Sequence, residues 1–172
     1  MSPRPLDLPF DPIERAGELW EERFGPAAAM RVATSIMRAQ QLLIARFDTV
    51  LRPYGLTFAR YEALVLLHFS RAGTLPLSVI GQRLMVHPTS VTNTIDRLVA
   101  QDLVERQPNP HDGRGVLAAI TPAGRDVVAR ATADLMAENF GLGAYDEGRL
   151  AALFDLLRVL RVDAGDFPPD RP

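Results

Sequence analysis

Between positions 89 and 97 stand Thr89, Ser90, Thr92, Asn93 and Arg97, a set of short hydroxyls, one amide and one guanidinium. Such groups supply the donor and acceptor pairs that base edges and phosphate oxygens match, and short side chains allow a close approach. A second guanidinium, Arg114, follows a turn-rich stretch, with Asp112 two residues before it and able to orient it. Catalytic chemistry has no comparable set. There is no Ser/His/Asp ordering, no paired-carboxylate spacing and no glycine-rich phosphate loop, so an enzyme is not expected. The chain has no Cys, which excludes thiol sensing and Cys-based zinc sites. His68, His87 and His111 are too scattered to hold a metal; they read as a partly buried core residue, a helix cap and a turn residue. No cofactor is implied.

The elements that must position these groups follow from periodicity. Val79, Ile80 and Leu84 mark a short helix that Ser78 can cap, and residues 85–88 break it. Pro88 suits only the first turn of a following helix, which makes His87 its cap. In that second helix Val91, Ile95, Leu98 and Val99 form one buried stripe. Thr89, Ser90, Thr92, Asn93, Asp96 and Arg97 are left outside. Taken alone, this is equally an ordinary surface helix with a solvated Thr/Ser face. Residues 103–107 and 115–120 have strand composition, and 108–114 form the turn between them. A stiff ribbon with Arg114 at its tip, beside a polar helix, aims a fixed charge at a minor groove or at phosphates. Two short helices, a hairpin and a new helix make a winged helix-turn-helix, a mainly α fold with a small β-wing. Its expected ligand is double-stranded DNA. The competing reading is a winged-helix interaction or scaffold module without regulated DNA binding, which has no need to expose Thr89, Asn93, Arg97 and Arg114 together.

From about 30 to 160 the chain resembles the MarR (multiple antibiotic resistance regulator) family of bacterial transcription factors. The resemblance rests on Gly55-Leu56-Thr57, Asp96-Arg97-Leu98, Leu103-Val104, Asp112-Gly113-Arg114 and Ile120-Thr121-Pro122-Ala123-Gly124, in that order. It implies a homodimeric transcriptional regulator, most commonly a repressor, with a recognition helix in each major groove of a pseudo-palindromic operator. It also implies that Arg114 is the wing-tip contact. Asp102 departs from the family, which has Gly between recognition helix and wing. Asp tolerates a left-handed backbone better than most residues.

The flanks supply helices for pairing. Val32, Ile36, Leu43, Phe47, Val50 and Leu51 lie at helical spacings until Pro53 and Gly55 stop the pattern. Residues 58–70 are apolar on most faces and read as the buried centre. Thr121 caps a long helix to about 139. Leu150, Leu153, Phe154, Leu157 and Leu160 then form the narrow seam of a helix that packs on a partner helix. An extra N-terminal helix starts with Asp11 as cap, Pro12 in the first turn and Glu14 closing a capping box. Its apolar face of Ile13, Gly17, Trp20 and Phe24 is expected to bury the only Trp. The division is therefore 1–29 for the extension, 30–56 for a dimerisation helix and 57–124 for the DNA-binding lobe. Residues 125–164 follow as C-terminal dimerisation helices, and 165–172 as a flexible tail.

The extra helix is similar to that of the urate-responsive subgroup, in which a Trp, an acidic residue and Arg residues build a ligand pocket. Trp20 and Arg106 match, Glu62 replaces the usual Asp, and Thr94 stands where that subgroup has Arg. The last departure removes half of a cationic clamp, so Trp20 reads equally well as the anchor of the extra helix. The family's usual lipophilic, often anionic effector would instead find walls in Leu43, Phe47, Leu64 and Phe69, with His68 and Arg46 as polar partners. A ligand that favours a dimer with mis-spaced recognition helices releases DNA by population shift.

The net charge of −2 runs against the basic balance of many DNA-binding proteins. Its distribution resolves part of this: residues 1–30 carry three Arg and six acids, 31–60 five Arg and one Asp, 61–121 five of each, and 122–172 six Arg and nine acids. A near-neutral binding lobe between acidic flanks implies few phosphate contacts. All 19 basic residues are Arg, which reflects genome base composition more readily than selection for binding. There is no membrane-length apolar run and no signal-peptide pattern, so the expected location is the bacterial cytoplasm, on the nucleoid when bound to DNA.

Overall fold

In the computed structural model, which describes residues 8–110 and 112–168 and only the backbone of 112–114, the first helix, α1 (Pro12–Phe24), starts where the sequence places it. The Asp11 carboxylate accepts from the Ile13 N–H at 2.8 Å and the Glu14 N–H at 3.5 Å. Among the described residues no return bond from Glu14 completes the capping box. α1 lies on α2 (Ala28–Leu51) through Gly17, which sits beneath the Arg31 guanidinium; Arg31 in turn reaches Glu21 at 2.6 Å. Trp20 is not buried as expected. It is 41% exposed and tilts against Phe24, with ring centroids 5.0 Å apart.

α2 ends at a 3-10 turn, Arg52–Tyr54, and Gly55 follows with φ of +68°, a left-handed turn suited to glycine. α3 (Phe58–Phe69) is the centre of the lobe, with Tyr61, Ala63, Leu64 and Leu67 buried. His68 and Phe69 stand exposed at its far end, against the expectation of a half-buried His and an apolar pocket wall. The sequence reading missed β1 (Thr74–Pro76), which pairs antiparallel with the last strand. α4 (Leu77–Leu84) begins one residue before Ser78, so Pro76 holds the cap position and Ser78 does not cap.

α5 (Pro88–Val99) is capped by His87, whose Nδ1 accepts from the Thr89 N–H at 3.3 Å. Val91, Ile95 and Leu98 are buried and Val99 is partly so, as the stripe predicts. Each buried side chain of this kind contributes about 1.5–3 kcal/mol of burial free energy, enough to fix the rotation of a twelve-residue helix. β2 (Val104–Asn109) and β3 (Asp112–Ile120) form the wing, with β3 in the middle of a three-stranded antiparallel sheet ordered β1-β3-β2. Both strands run further toward the tip than their composition suggests, and a register shift falls between Pro108 and Asn109.

α6 (Pro122–Ala137) begins with Thr121 as cap; its Oγ1 accepts from the Gly124 N–H at 2.9 Å and donates to the Asp102 carbonyl at 2.8 Å. Asp102 has φ of +58°, the left-handed conformation its place in the sequence requires. α7 (Glu147–Asp163) is capped by Asp146 and has no buried residue. The core is a single cluster in which α3, α5, α6 and the wing root meet the C-terminal half of α2.

Candidate nucleic-acid interface

Burial of Val91, Ile95 and Leu98 turns the opposite side of α5 outward. His87, Pro88, Thr89, Ser90, Thr92, Asn93, Asp96 and Arg97 are all exposed. The Thr92 hydroxyl donates to the Pro88 carbonyl at 3.2 Å, which leaves its lone pairs free to accept. Arg97 has no carboxylate partner among the described residues. Asp96, the one acid on this face, is held at 2.7 Å by Arg106 of β2. The pair is exposed and adds little stability. It neutralises the one carboxylate on this face and ties α5 to the wing.

The wing root is fixed by close approach. A Cβ on Gly124 would lie 2.2 Å from the Leu103 carbonyl oxygen, so only glycine lets α6 meet the strand there. Gly55 receives the Gln101 amide on its carbonyl at 3.0 Å, linking the start of α3 to the end of the recognition helix. Gly55, Asp102 and Gly124 thus serve the relative placement of helix and wing. Asp112 and Arg114 belong to β3 by backbone; their side chains, and His111 entirely, lie outside the described residues.

The residues suggested for a small ligand have separate settings. Trp20 is on α1. Arg46 on α2 is ion-paired with Glu138, which follows α6. Glu62 is half-buried on α3, where burial pushes its carboxyl above the usual range. His68 is exposed, while Phe47 and Leu64 belong to the core, Phe47 stacking on Phe58 with ring centroids 4.6 Å apart. Of the five suggested residues, Arg106 lines a cavity of about 420 Å³ that includes Val99, Asp102 and Thr121. Sequence reasoning missed two features beside α5. One is an open cleft lined by Thr57, Arg60, Asn93, Thr94 and Arg97. The other is a mostly apolar cavity of about 600 Å³ between α4 and α5, with Leu77, Met85, Val86 and Val91 in its walls. Spacing along one helix gives no sign of either, because each needs two elements. Among the described residues no group of His, Asp and Glu side chains forms a metal site, and no helix is long and apolar enough to cross a membrane.

A capped two-helix unit with an outward polar face, followed by a hairpin on the same sheet as the core, defines a winged helix-turn-helix protein. The model of the MarR family matches residues 54–115. The solved structure of Sco5413, a MarR family transcriptional regulator from Streptomyces coelicolor, is 63% identical, covers 81% of this chain and 96% of its own, and superposes with a TM-score of 0.76. The chain belongs to the MarR family of transcriptional regulators, which are non-enzymatic DNA-binding proteins. Two further structures share the fold. Sco3205 of S. coelicolor, solved in complex with DNA, is 22% identical over 77% of this chain and 88% of its own, with a TM-score of 0.71. CouR of Rhodococcus jostii RHA1, solved with p-coumaroyl-CoA, is 23% identical over 82% of this chain and 95% of its own, with a TM-score of 0.65.

Proposed function

We propose that this regulator binds a pseudo-palindromic operator as a homodimer and represses transcription until a small lipophilic or anionic ligand releases it. In this reading Ser90, Thr92, Asn93 and Arg97 face base edges of the major groove, and His87, Pro88 and Thr89 approach the backbone. Asp112 orients Arg114, which enters the minor groove. The observation that carries it is the simultaneous exposure of Thr89, Ser90, Thr92, Asn93 and Arg97 on a helix whose rotation the core fixes. Sco3205, of the same fold, was solved in complex with DNA, which supports DNA as the partner.

Pairing is supported by α7, where Phe154, Leu156 and Val159 are 59%, 70% and 67% exposed and nothing is buried. The N-terminal half of α2 adds exposed Val32 and Met37. Segments 30–56 and 125–164 are accordingly the dimerisation elements, and 57–124 the DNA-binding lobe. Two half-sites about one helical turn, roughly 34 Å, apart give the length of sequence that one recognition helix cannot read. The cavity between α4 and α5 offers room for an apolar ligand. A ligand filling it would shift the recognition helix against its supporting helix, and CouR, of the same fold, was solved bound to p-coumaroyl-CoA, which supports a small-molecule effector.

The test is fluorescence anisotropy on duplexes that the protein selects from a random-sequence pool, against scrambled duplexes, across a salt series. Selective binding, a dimeric mass by light scattering and reduced reporter expression from an operator-bearing promoter are the expected results. Equal affinity for selected and scrambled duplexes would favour an interaction module instead.

A further inference from the structure

Against the flank of α5 that faces α3 stands a cation, Arg60 of α3, which no reading of the recognition helix or the wing includes. The cleft there, about 230 Å³, is lined by Thr57, Arg60, Asn93, Thr94 and Arg97. Two guanidiniums share one small opening, and neither has a carboxylate partner among the described residues. Arg106 on the wing side differs, being held by Asp96 at 2.7 Å. Arg60 is half-buried, and its Nε donates to Thr57 Oγ1 at 3.2 Å. That bond fixes the plane of the guanidinium and leaves its two terminal nitrogens to bind. Asp48 already takes the Phe58 N–H at 2.7 Å at the start of α3, so an anion here depends on the Arg60 fork rather than on the helix terminus.

We propose that this cleft is a phosphate site that holds one backbone phosphate of bound DNA, with Arg60 as its principal ligand. The assignment rests on the regulator reading, which places α5 in a major groove. A groove about 12 Å wide is walled by a phosphate row on each side, and a helix of about 10–12 Å diameter with its side chains meets both rows. Asn93 and Arg97 point the α3 flank at one of those rows, and Arg60 lies beside them in the same opening. The planar fork of Arg60 matches phosphate oxygens and the Thr57 hydroxyl adds a neutral donor, while Asn93 and Arg97 border the same opening and keep their place toward the base edges. The contact carries no base information; it sets the register of α5 along the duplex.

The test compares the unaltered protein with Arg60→Ala, Arg60→Gln and Arg60→Lys on a selected duplex and a scrambled duplex of equal length, from low to moderate salt. Each lost phosphate contact lowers the slope of log affinity against log salt by about 0.9, or about 1.8 for a two-fold dimer, and counterion release alone makes this about fivefold in affinity per contact near 0.15 M salt. Arg60→Ala and Arg60→Gln are expected to show that loss equally on both duplexes, with unchanged melting temperatures, and Arg60→Lys to recover the slope. Unchanged slope and affinity would overturn the assignment. So would a loss confined to the selected duplex, which would make Arg60 a base reader. An unchanged DNA affinity together with a rise in melting temperature in inorganic phosphate that Arg60→Ala abolishes would make the cleft a small-anion site and also overturn it. If the unaltered protein bound no duplex at all, the regulator reading would fail and this site with it, a result visible in the control before any variant is measured.

Discussion

Gly124→Ala should destabilise the protein even though alanine is the better helix former. In a helix interior the exchange favours Ala by up to about 1 kcal/mol. The added Cβ, however, would sit 2.2 Å from the Leu103 carbonyl oxygen and 2.9 Å from Ile120 Cγ1, so backbone must move by about 1 Å. The carbonyl that must yield is the acceptor of the Thr121 N–H at 3.1 Å, the bond that starts α6 on the wing root. Overpacking costs about 1–3 kcal/mol and an orphaned backbone group about 1–3 kcal/mol, which leaves a net loss of about 1–5 kcal/mol after the helix gain. At ~2–4 °C per kcal/mol for a chain of this size, the melting temperature falls by roughly 2–20 °C at fixed protein concentration. Gly148→Ala is the control. Its Cβ would meet only Asp146 Oδ1 at 3.5 Å, an ordinary contact, and it should be neutral or stabilise by up to about 1 kcal/mol. Urea melts of the two variants decide the matter. A Gly124→Ala protein as stable as the original would refute the steric reasoning at the wing root.

Arg114→Ala is expected to weaken operator binding by about 1–3 kcal/mol with little change in melting temperature, and an unchanged affinity would favour the interaction-module reading. Replacing Phe154 and Leu160 together by Ser should convert the dimer to monomer by light scattering with the helical signal largely kept; a persistent dimer would move the interface away from α7. Glu62→Gln should stabilise the protein at pH 7. Burial raises the folded-state carboxyl pKa above its unfolded value, so Glu62 is favoured below the unfolded value and loses that contribution as pH rises through the folded one. The advantage of Gln should therefore disappear as pH drops to about 4, and equal stabilities at pH 7 would contradict it.

The local grammar of the lobe was legible because it obeys short-range rules. His87 before Pro88, the stripe from Val91 to Leu98, and Thr121 before Pro122 each state a helix start or a buried face within a few residues. Asp102 announced its left-handed backbone by standing in a glycine position. What stayed hidden depends on partners distant in sequence. β1 is three residues long, with no periodicity of its own, and exists because Ala118 and its neighbours pair with it. Arg46 is engaged by Glu138, 92 residues away, and Arg60 reaches α5 only through the packing of α3. The Asp96–Arg106 pair needed the distance from helix to wing rather than the spacing of either element. Trp20 misled for a different reason: its place on an amphipathic face marks a surface to be covered, and α2 does not cover it within one chain.

The seventeen residues of α7 have a consequence for how this molecule can be observed. A helix of that length is marginal in water by itself, and one with no fully buried residue opens with little disturbance of the core. Under the proposed pairing its amide hydrogens should therefore exchange with solvent on a timescale set by the concentration of the protein, while those of Leu64, Ile95 and Leu98 keep that of the folded lobe. Exchange rates along α7 then serve as a residue-level gauge of assembly, read without DNA, ligand or label.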